Sequence, residues 1–268
     1  VLGGLTRSFV VGIPLGTVVG DAFGWRATFV FSGLLALAAA GLIRWRLPKT
    51  PSGLAEGPGS LAQADKLGVG LHLLMTALVF AATFVVVAYI GPVVTAETGL
   101  QGRSVGAMQA FVGVGSLVGP ALGGTLAERG RSTLPIAGVF VVGATTLALH
   151  TLWLLGPLGL EGAASIAATA LSLFGGSAAL FTLLPVIQKR LIERAPGARG
   201  IVLALNGSMV FFGQGLGAAI GGGVIAVASL GYLGIAGASI AMIGVALSLL
   251  AHRVLARSPS VPNSKTLS

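Results

Sequence analysis

The sequence contains no cysteine, which excludes a disulfide framework, a thiolate metal site and a cysteine nucleophile. It is nearly as poor in charge. Charged residues make up 9% of the 268 positions, where a soluble domain carries about 25%. A chain this long with so few charges cannot cover a water-facing surface. Acids are the scarcer sign, with seven Asp and Glu against sixteen Lys and Arg and a net charge of +9. No cluster of acids, histidines or nucleophiles falls inside an apolar run, so neither an enzyme nor a catalytic residue is expected. The three histidines, His72, His150 and His252, stand at the ends of apolar runs and far apart. They predict no metal centre, and no cofactor is implied.

What the chain has in abundance is apolar surface. Hydrophobic residues form 54% of it and the mean hydropathy is +0.97. A span of the bilayer needs about 20 mostly apolar residues, and only helices or closed barrels can cross. A barrel would alternate polarity over segments of about ten residues. Continuous apolar runs are present instead, so the fold class is an all-α polytopic transmembrane bundle.

Runs free of Asp, Glu, Lys and Arg mark the spans at residues 8–20, 27–43, 67–96, 104–127, 132–160 and 162–188. Residues 200–251 form a further run of 52 residues, too long for one crossing. It divides near 229–232, where Gly231 supplies a turn residue. The expectation is eight helices. Residues 48–66, with Pro48, Pro51, Gly53, Gly57, Pro58 and Gly59, read as a cytoplasmic linker between two bundles. Residues 258–268 read as a disordered cytoplasmic tail. The expected units are residues 1–47, the last two helices of one bundle, and 67–257, a six-helix bundle.

Excess positive charge on a soluble protein would point to nucleic acid. Here the basic residues lie between spans, so they report topology and no nucleic-acid partner is expected. Arg44, Arg46, Lys49, Lys66, Arg129, Arg131, Lys189, Arg190, Arg194, Arg199, Arg253, Arg257 and Lys265 collect on one side, against Arg26 and Arg103 on the other. By the positive-inside rule, the linker and the C-terminus are cytoplasmic. Arg7 falls within the first span. Arg7 ahead of an apolar stretch also fits a signal peptide, although the small-residue cleavage site is unconvincing. The favoured expectation is an N-terminally truncated chain that begins inside a helix.

Glycines recur with a pattern. The first helix carries Gly12, Pro14 and Gly16; the fourth carries Gly115, Gly119, Pro120 and Gly123; the seventh carries Gly213, Gly217 and Gly221. Small residues four apart let helix backbones approach closely, so simple packing is one reading of each stripe. Their return on every third helix predicts three-helix structural repeats, as found in transporters.

These residues resemble the major facilitator superfamily, in particular its bacterial drug and sugar efflux branch. The run from Gly115 through Gly119-Pro120 to Gly123-Gly124 is similar to the family's antiporter glycine motif. The run Gly124-Thr125-Leu126-Ala127-Glu128-Arg129-Gly130-Arg131 resembles its cytoplasmic loop motif, with Glu128 where Asp is more usual. Gly24-Trp25-Arg26-Ala27-Thr28-Phe29 looks like the entry to the family's sixth helix, and Ala204-Leu205-Asn206-Gly207-Ser208 like its eleventh. The resemblance implies that the chain holds family helices five to twelve. It further implies transport of a small molecule by alternating access, with drug or sugar efflux by proton antiport. The implied setting is a monomer in the lipid bilayer of the bacterial inner membrane, with protons as coupling ion. The competing expectation is a truncated membrane fragment that transports nothing.

No charged residue can be assigned to coupling from the sequence, because every acid falls at a span end or in the linker. The next tier is polar and uncharged. Asn206 and Gln214 lie eight residues apart, about 80° around one helix, so both can face one cavity. An amide at that depth needs a partner, so interhelical bonding stands beside cavity lining as a reading. Gln109 is similar. Tyr89 and Pro92 form a Tyr-Ile-Gly-Pro break, and Pro92 removes a helical hydrogen bond; the resemblance places this bend beside the substrate. Gly124, Glu128, Arg129 and Arg131 are candidates for a conformational switch at the cytoplasmic face, with positive-inside charge as the plainer alternative.

Overall fold

The computed structural model describes residue 12 and residues 15–16, 18–46, 61–128, 130, 132–156 and 160–256. Arg7, Pro14, Arg129, Arg131, linker residues 48–60 and the 258–268 tail, all singled out by the sequence, lie outside the described residues. Beyond the partly described helix at the N-terminal end, eight α-helices follow one another among the described residues: α1 (Trp25–Arg46), α2 (Lys66–Val87), α3 (Ile90–Thr98), α4 (Arg103–Glu128), α5 (Leu134–Leu155), α6 (Ala163–Arg194), α7 (Arg199–Val227) and α8 (Leu233–Ala256). No strand occurs among the described residues. Seven stretches there are long and apolar enough to cross a membrane, α3 being too short. The first expected span, 8–20, is described only in part. Residues 18–23 are helical and lead into α1.

The expected span 67–96 is split. α2 ends at Val87 and α3 begins at Ile90, so the chain breaks at Ala88-Tyr89, ahead of Pro92. The cause is steric. A proline ring clashes with the carbonyl four residues earlier, which for Pro92 belongs to Ala88. Tyr89 then closes a tighter turn, its N–H donating to the Val86 carbonyl at 2.9 Å. Pro92 itself sits in the first turn of α3, where its missing N–H costs nothing. The long apolar run divides as expected, with a short turn at Leu230–Tyr232. Gly231 is there because a Cβ would sit 2.6 Å from the Leu155 side chain.

Helices α2 to α8 form one bundle whose closest packings are α4 on α6, α2 on α7 and α5 on α8. Two of the three expected glycine stripes lie at such contacts, whereas in the first a Cβ on Gly12 or Gly16 would meet nothing within 4 Å. Gly115, Gly119 and Gly123 of α4 abut the backbone carbonyls of Phe174, Ala178 and Thr182 in α6. Gly213, Gly217 and Gly221 of α7 abut the carbonyls of Ala77, Ala81 and Val85 in α2. Each set steps by four residues on both helices, so the second contact repeats the first, one three-helix unit later. For the second and third stripes the expected period is therefore built into the packing, with α2/α3, α4 and α5 as one unit and α6, α7 and α8 as the next.

Hydroxyl bonds fasten the same pairs. Ser177 donates to the Val112 carbonyl at 2.6 Å and Thr182 to the Gly119 carbonyl at 3.1 Å, joining α6 to α4. Thr133 donates to the Ser248 carbonyl at 2.9 Å, and Thr151 accepts from the Ile235 N–H at 2.8 Å, one bolt at each end of the α5–α8 contact. In a membrane such bonds contribute about 0.6 kcal/mol each on average, and the close backbone approach supplies dispersion in addition. In contrast, α1 has no buried residue. Its Phe29, Leu37 and Trp45 are more than two-thirds exposed.

Candidate functional site

Two polar clusters are buried in the bundle, one toward each end. The first is assembled from α3, α5 and α6. The Glu97 and His150 side chains are only 1% and 6% exposed, and Glu97 Oε1 lies 2.6 Å from His150 Nδ1. Thr169 donates to the other carboxylate oxygen at 3.1 Å. The Ser172 hydroxyl lies 3.1 Å from His150 Nε2 and donates to the Thr146 carbonyl at 3.0 Å. Trp153 packs edge-to-face on the imidazole at 5.7 Å. A carboxylate taken out of water is costly unless paired and hydrogen-bonded, and here both conditions are met.

The helices explain how the cluster forms. The break at Ala88-Tyr89 offsets α3, and Glu97 comes from its last turn before Gly99 ends it in the left-handed region. His150 lies five residues before the end of α5, and Thr169 and Ser172 lie on the buried side of α6. The sequence placed Glu97 and His150 at span ends and separate. The structure puts both inside the bundle and in contact, across 53 residues of chain.

Two cavities flank this pair. One is almost wholly apolar and is lined by Phe84, Thr146, His150, Ser172 and Phe181 among others. The second is mainly polar and is lined by Glu97, Trp153, Ser165 and Thr169 among others. His150 borders the first and Glu97 the second.

The second cluster is at the opposite end, between α2 and α6. The sequence ended its sixth span at residue 188; α6 instead continues to Arg194 and buries Arg190 almost completely. The Arg190 guanidinium donates to the Gly130 carbonyl and pairs with Glu193 at 3.2 Å. Arg194 pairs with Asp65, whose carboxylate also caps α2 by accepting the Gly68 N–H at 2.9 Å. Asp65 and the adjoining Leu61–Gln63 turn are thus ordered against the bundle. Of the expected loop switch, Gly124 is half-buried and Glu128 exposed. The loop between α4 and α5 is held instead through the backbone of Gly130.

The expected cavity residues are dispersed. Asn206 is buried, and its side-chain oxygen accepts from Thr76 at 2.7 Å, joining α7 to α2. Tyr89 lies across Gly221 and Gly222 and donates to the Ala218 carbonyl at 2.9 Å, fixing the helix break to α7. Gln214 is half-buried one turn before Ala218, Gln109 is buried in α4, and Pro92 is exposed. None of the five lines either cavity above. No group of three or more His, Cys, Asp or Glu residues fit to hold a metal occurs among the described residues.

No protein-family model matches the chain. It is 31% identical over 264 residues to the inner membrane transport protein YdhP of Escherichia coli (strain K12), covering 97% of this chain and 65% of that protein. It is 30% identical over 251 residues to the uncharacterized MFS-type transporter YbcL of Bacillus subtilis (strain 168), covering 92% and 61%. It is 29% identical over 261 residues to the probable sugar efflux transporter of Mannheimia succiniciproducens, covering 96% and 62%. The chain therefore spans less than two-thirds of the length of each of these relatives.

Proposed function

The chain is homologous along nearly its whole length to MFS-type transporters, the major facilitator superfamily, and from that kinship we propose that the protein exports a small, uncharged, partly apolar molecule by alternating access, coupled to proton antiport. Homology to an inner membrane transport protein and to a probable sugar efflux transporter supports transport and its direction. One structural observation carries the alternating-access part. The bundle is built of two three-helix units packed through matching glycine stripes, with a broken helix at their junction. Such repeats place a binding site near the midplane, and their rigid packing lets one bundle rock as a body.

The candidate substrate wall is Tyr89 and Pro92 at the helix break with Gln214 facing from α7. It offers a phenol and an amide and no fixed charge, which favours an uncharged ligand. The Arg190–Gly130 and Arg194–Asp65 contacts mark the cytoplasmic end, as positive-inside charge requires. A helix terminus held by ion pairs can be released when the bundles move. The protein is a monomer of the bacterial inner membrane with its C-terminus in the cytoplasm.

The test is steady-state accumulation in cells expressing the intact protein. The probes are radiolabelled chloramphenicol and isopropyl thiogalactoside, one uncharged drug and one uncharged sugar. Lower accumulation than in vector controls, reversed by a protonophore, is the expected result. Equal accumulation of both probes would count against export of this class of molecule.

A further inference from the structure

We propose that Glu97 and His150 together form the proton-binding site of the protein, with the proton read out through Ser172 on the side of the apolar cavity. This rests on the transport reading above only for its coupling role; the proton site itself stands on the geometry.

The ring, the carboxylate and their hydroxyl neighbours share a small number of hydrogens. A serine hydroxyl has one proton to donate. That of Ser172 can go to the Thr146 carbonyl at 3.0 Å or to His150 Nε2 at 3.1 Å. Ser172 donates to the carbonyl when Nε2 carries a hydrogen, and to Nε2 when it does not. On the other side of the ring, Nδ1 and Glu97 Oε1 are 2.6 Å apart, which requires a hydrogen between them. Two hydrogens shared by one imidazole and one carboxylate make a net-neutral pair: imidazolium with carboxylate, or neutral imidazole with carboxylic acid. That is the protonated state of the site, and the same heavy-atom contacts also accommodate the state with Nε2 bare.

Release of one proton has a defined outcome. The Nε2 hydrogen leaves and the ring remains neutral with its hydrogen on Nδ1, still bonded to Glu97. Nε2 becomes an acceptor, and the Ser172 hydroxyl turns from the Thr146 carbonyl to donate to it. The pair then carries one negative charge, held by Nδ1–H and the Thr169 hydroxyl. Loading reverses each step, so charge and hydrogens balance without any further reactant. Ser172 and Thr146 both border the apolar cavity. The state of the proton therefore changes which polar groups that cavity presents.

The surroundings leave the titration to this pair. The elements packed against α3 and α5 are α2, α4, α6, α8 and the Leu230–Tyr232 turn. α6 faces the pair with hydroxyls alone, those of Thr169 and Ser172. Among the described residues, the charged or titratable groups near this end are Asp21, Arg26, Arg103 and Glu161, all exposed, with Tyr89 on Ala218 and Tyr232 half-exposed. None of these is hydrogen-bonded or ion-paired with Glu97 or His150. The other histidines of α2 and α8, His72 and His252, lie at the opposite ends of their helices.

The experiment uses the intact protein in lipid nanodiscs with ring-15N histidine. Only three histidines are present, so His150→Asn assigns the resonance. In the wild type, that resonance passes between imidazolium and neutral forms as pH rises. In Glu97→Gln, which removes the carboxylate paired with the ring, the imidazolium form of His150 is lost. A His150 resonance that stays neutral through acid pH, or an imidazolium form retained in Glu97→Gln, overturns the site. A second measurement separates this from transport. In proteoliposomes, Glu97→Gln loses chloramphenicol uptake driven by a pH gradient but keeps counterflow exchange of the same probe. Gradient-driven uptake retained by Glu97→Gln overturns the coupling role. Absence of counterflow in the wild type sinks the export reading for this probe, while the histidine titration still decides the proton site.

Discussion

Gly119 of α4 faces Ala178 of α6 so closely that a Cβ on the glycine would lie 2.7 Å from the Ala178 carbonyl oxygen. Gly124, on the same helix, has open space at that position. Alanine favours a helix over glycine by about 1 kcal/mol, and overpacking against backbone costs about 1–3 kcal/mol. Gly119→Ala should therefore lower the melting temperature of the purified protein, and Gly124→Ala should hold or raise it. Equal effects at both positions would mean that the stripe does not set the α4–α6 distance.

The Asn206–Thr76 bond predicts a double-mutant result. Asn206→Leu or Thr76→Val alone strands a buried polar partner, while the double change removes both. Coupling of about 0.6–1.7 kcal/mol is expected from unfolding in detergent. Coupling near zero would place the Asn206 amide on another partner and reopen the cavity reading. Cavity lining, the other reading of Asn206, predicts instead that Asn206→Leu alters the substrate profile without abolishing expression. An efflux comparison of the variant distinguishes the two.

Arg190 holds the loop between α4 and α5 through one backbone carbonyl, that of Gly130. Arg190→Gln should loosen that loop and quicken tryptic cleavage at Arg129 and Arg131. Arg194→Gln, which loses only a half-exposed pair with Asp65, should change stability by less than about 1 kcal/mol. Cleavage at wild-type rate in Arg190→Gln would show that the loop is held elsewhere.

The lack of cysteine makes topology directly measurable. Gln101→Cys, between α3 and α4, and Gly197→Cys, in the turn before α7, are both exposed. In intact cells, an impermeant maleimide should label the first alone, and permeabilisation should expose the second. The reverse pattern would invert the proposed orientation.

Hydropathy made most of the fold legible. The span boundaries at Trp25–Arg46, Arg103–Glu128 and Arg199–Val227 fall within a few residues of the charge-free runs, because burial in hydrocarbon depends on local composition. The glycine period announced the repeat, because close backbone approach needs a missing Cβ wherever it occurs. The break before Pro92 was half-legible: the proline was visible, but its clash acts four residues upstream.

Site chemistry was less visible. Nothing in the sequence joins Glu97 to His150, Asn206 to Thr76 or Arg190 to Gly130, since each bond spans 53 to 130 residues of chain. A signal did exist for the first. An acid and a histidine each within two turns of the same end of neighbouring spans have few other partners at that depth.

The sequence by itself determined that this chain crosses a membrane, where most of its crossings lie, and that its glycines recur every third helix. All three follow from local composition along single helices. Only the tertiary structure decided which charges are buried and with whom. Lipid and protein interiors are equally apolar, so hydropathy carries almost no record of how a helix is rotated about its axis. That rotation, set by glycine stripes and hydroxyl bonds between helices, turns Glu97 and His150 toward each other.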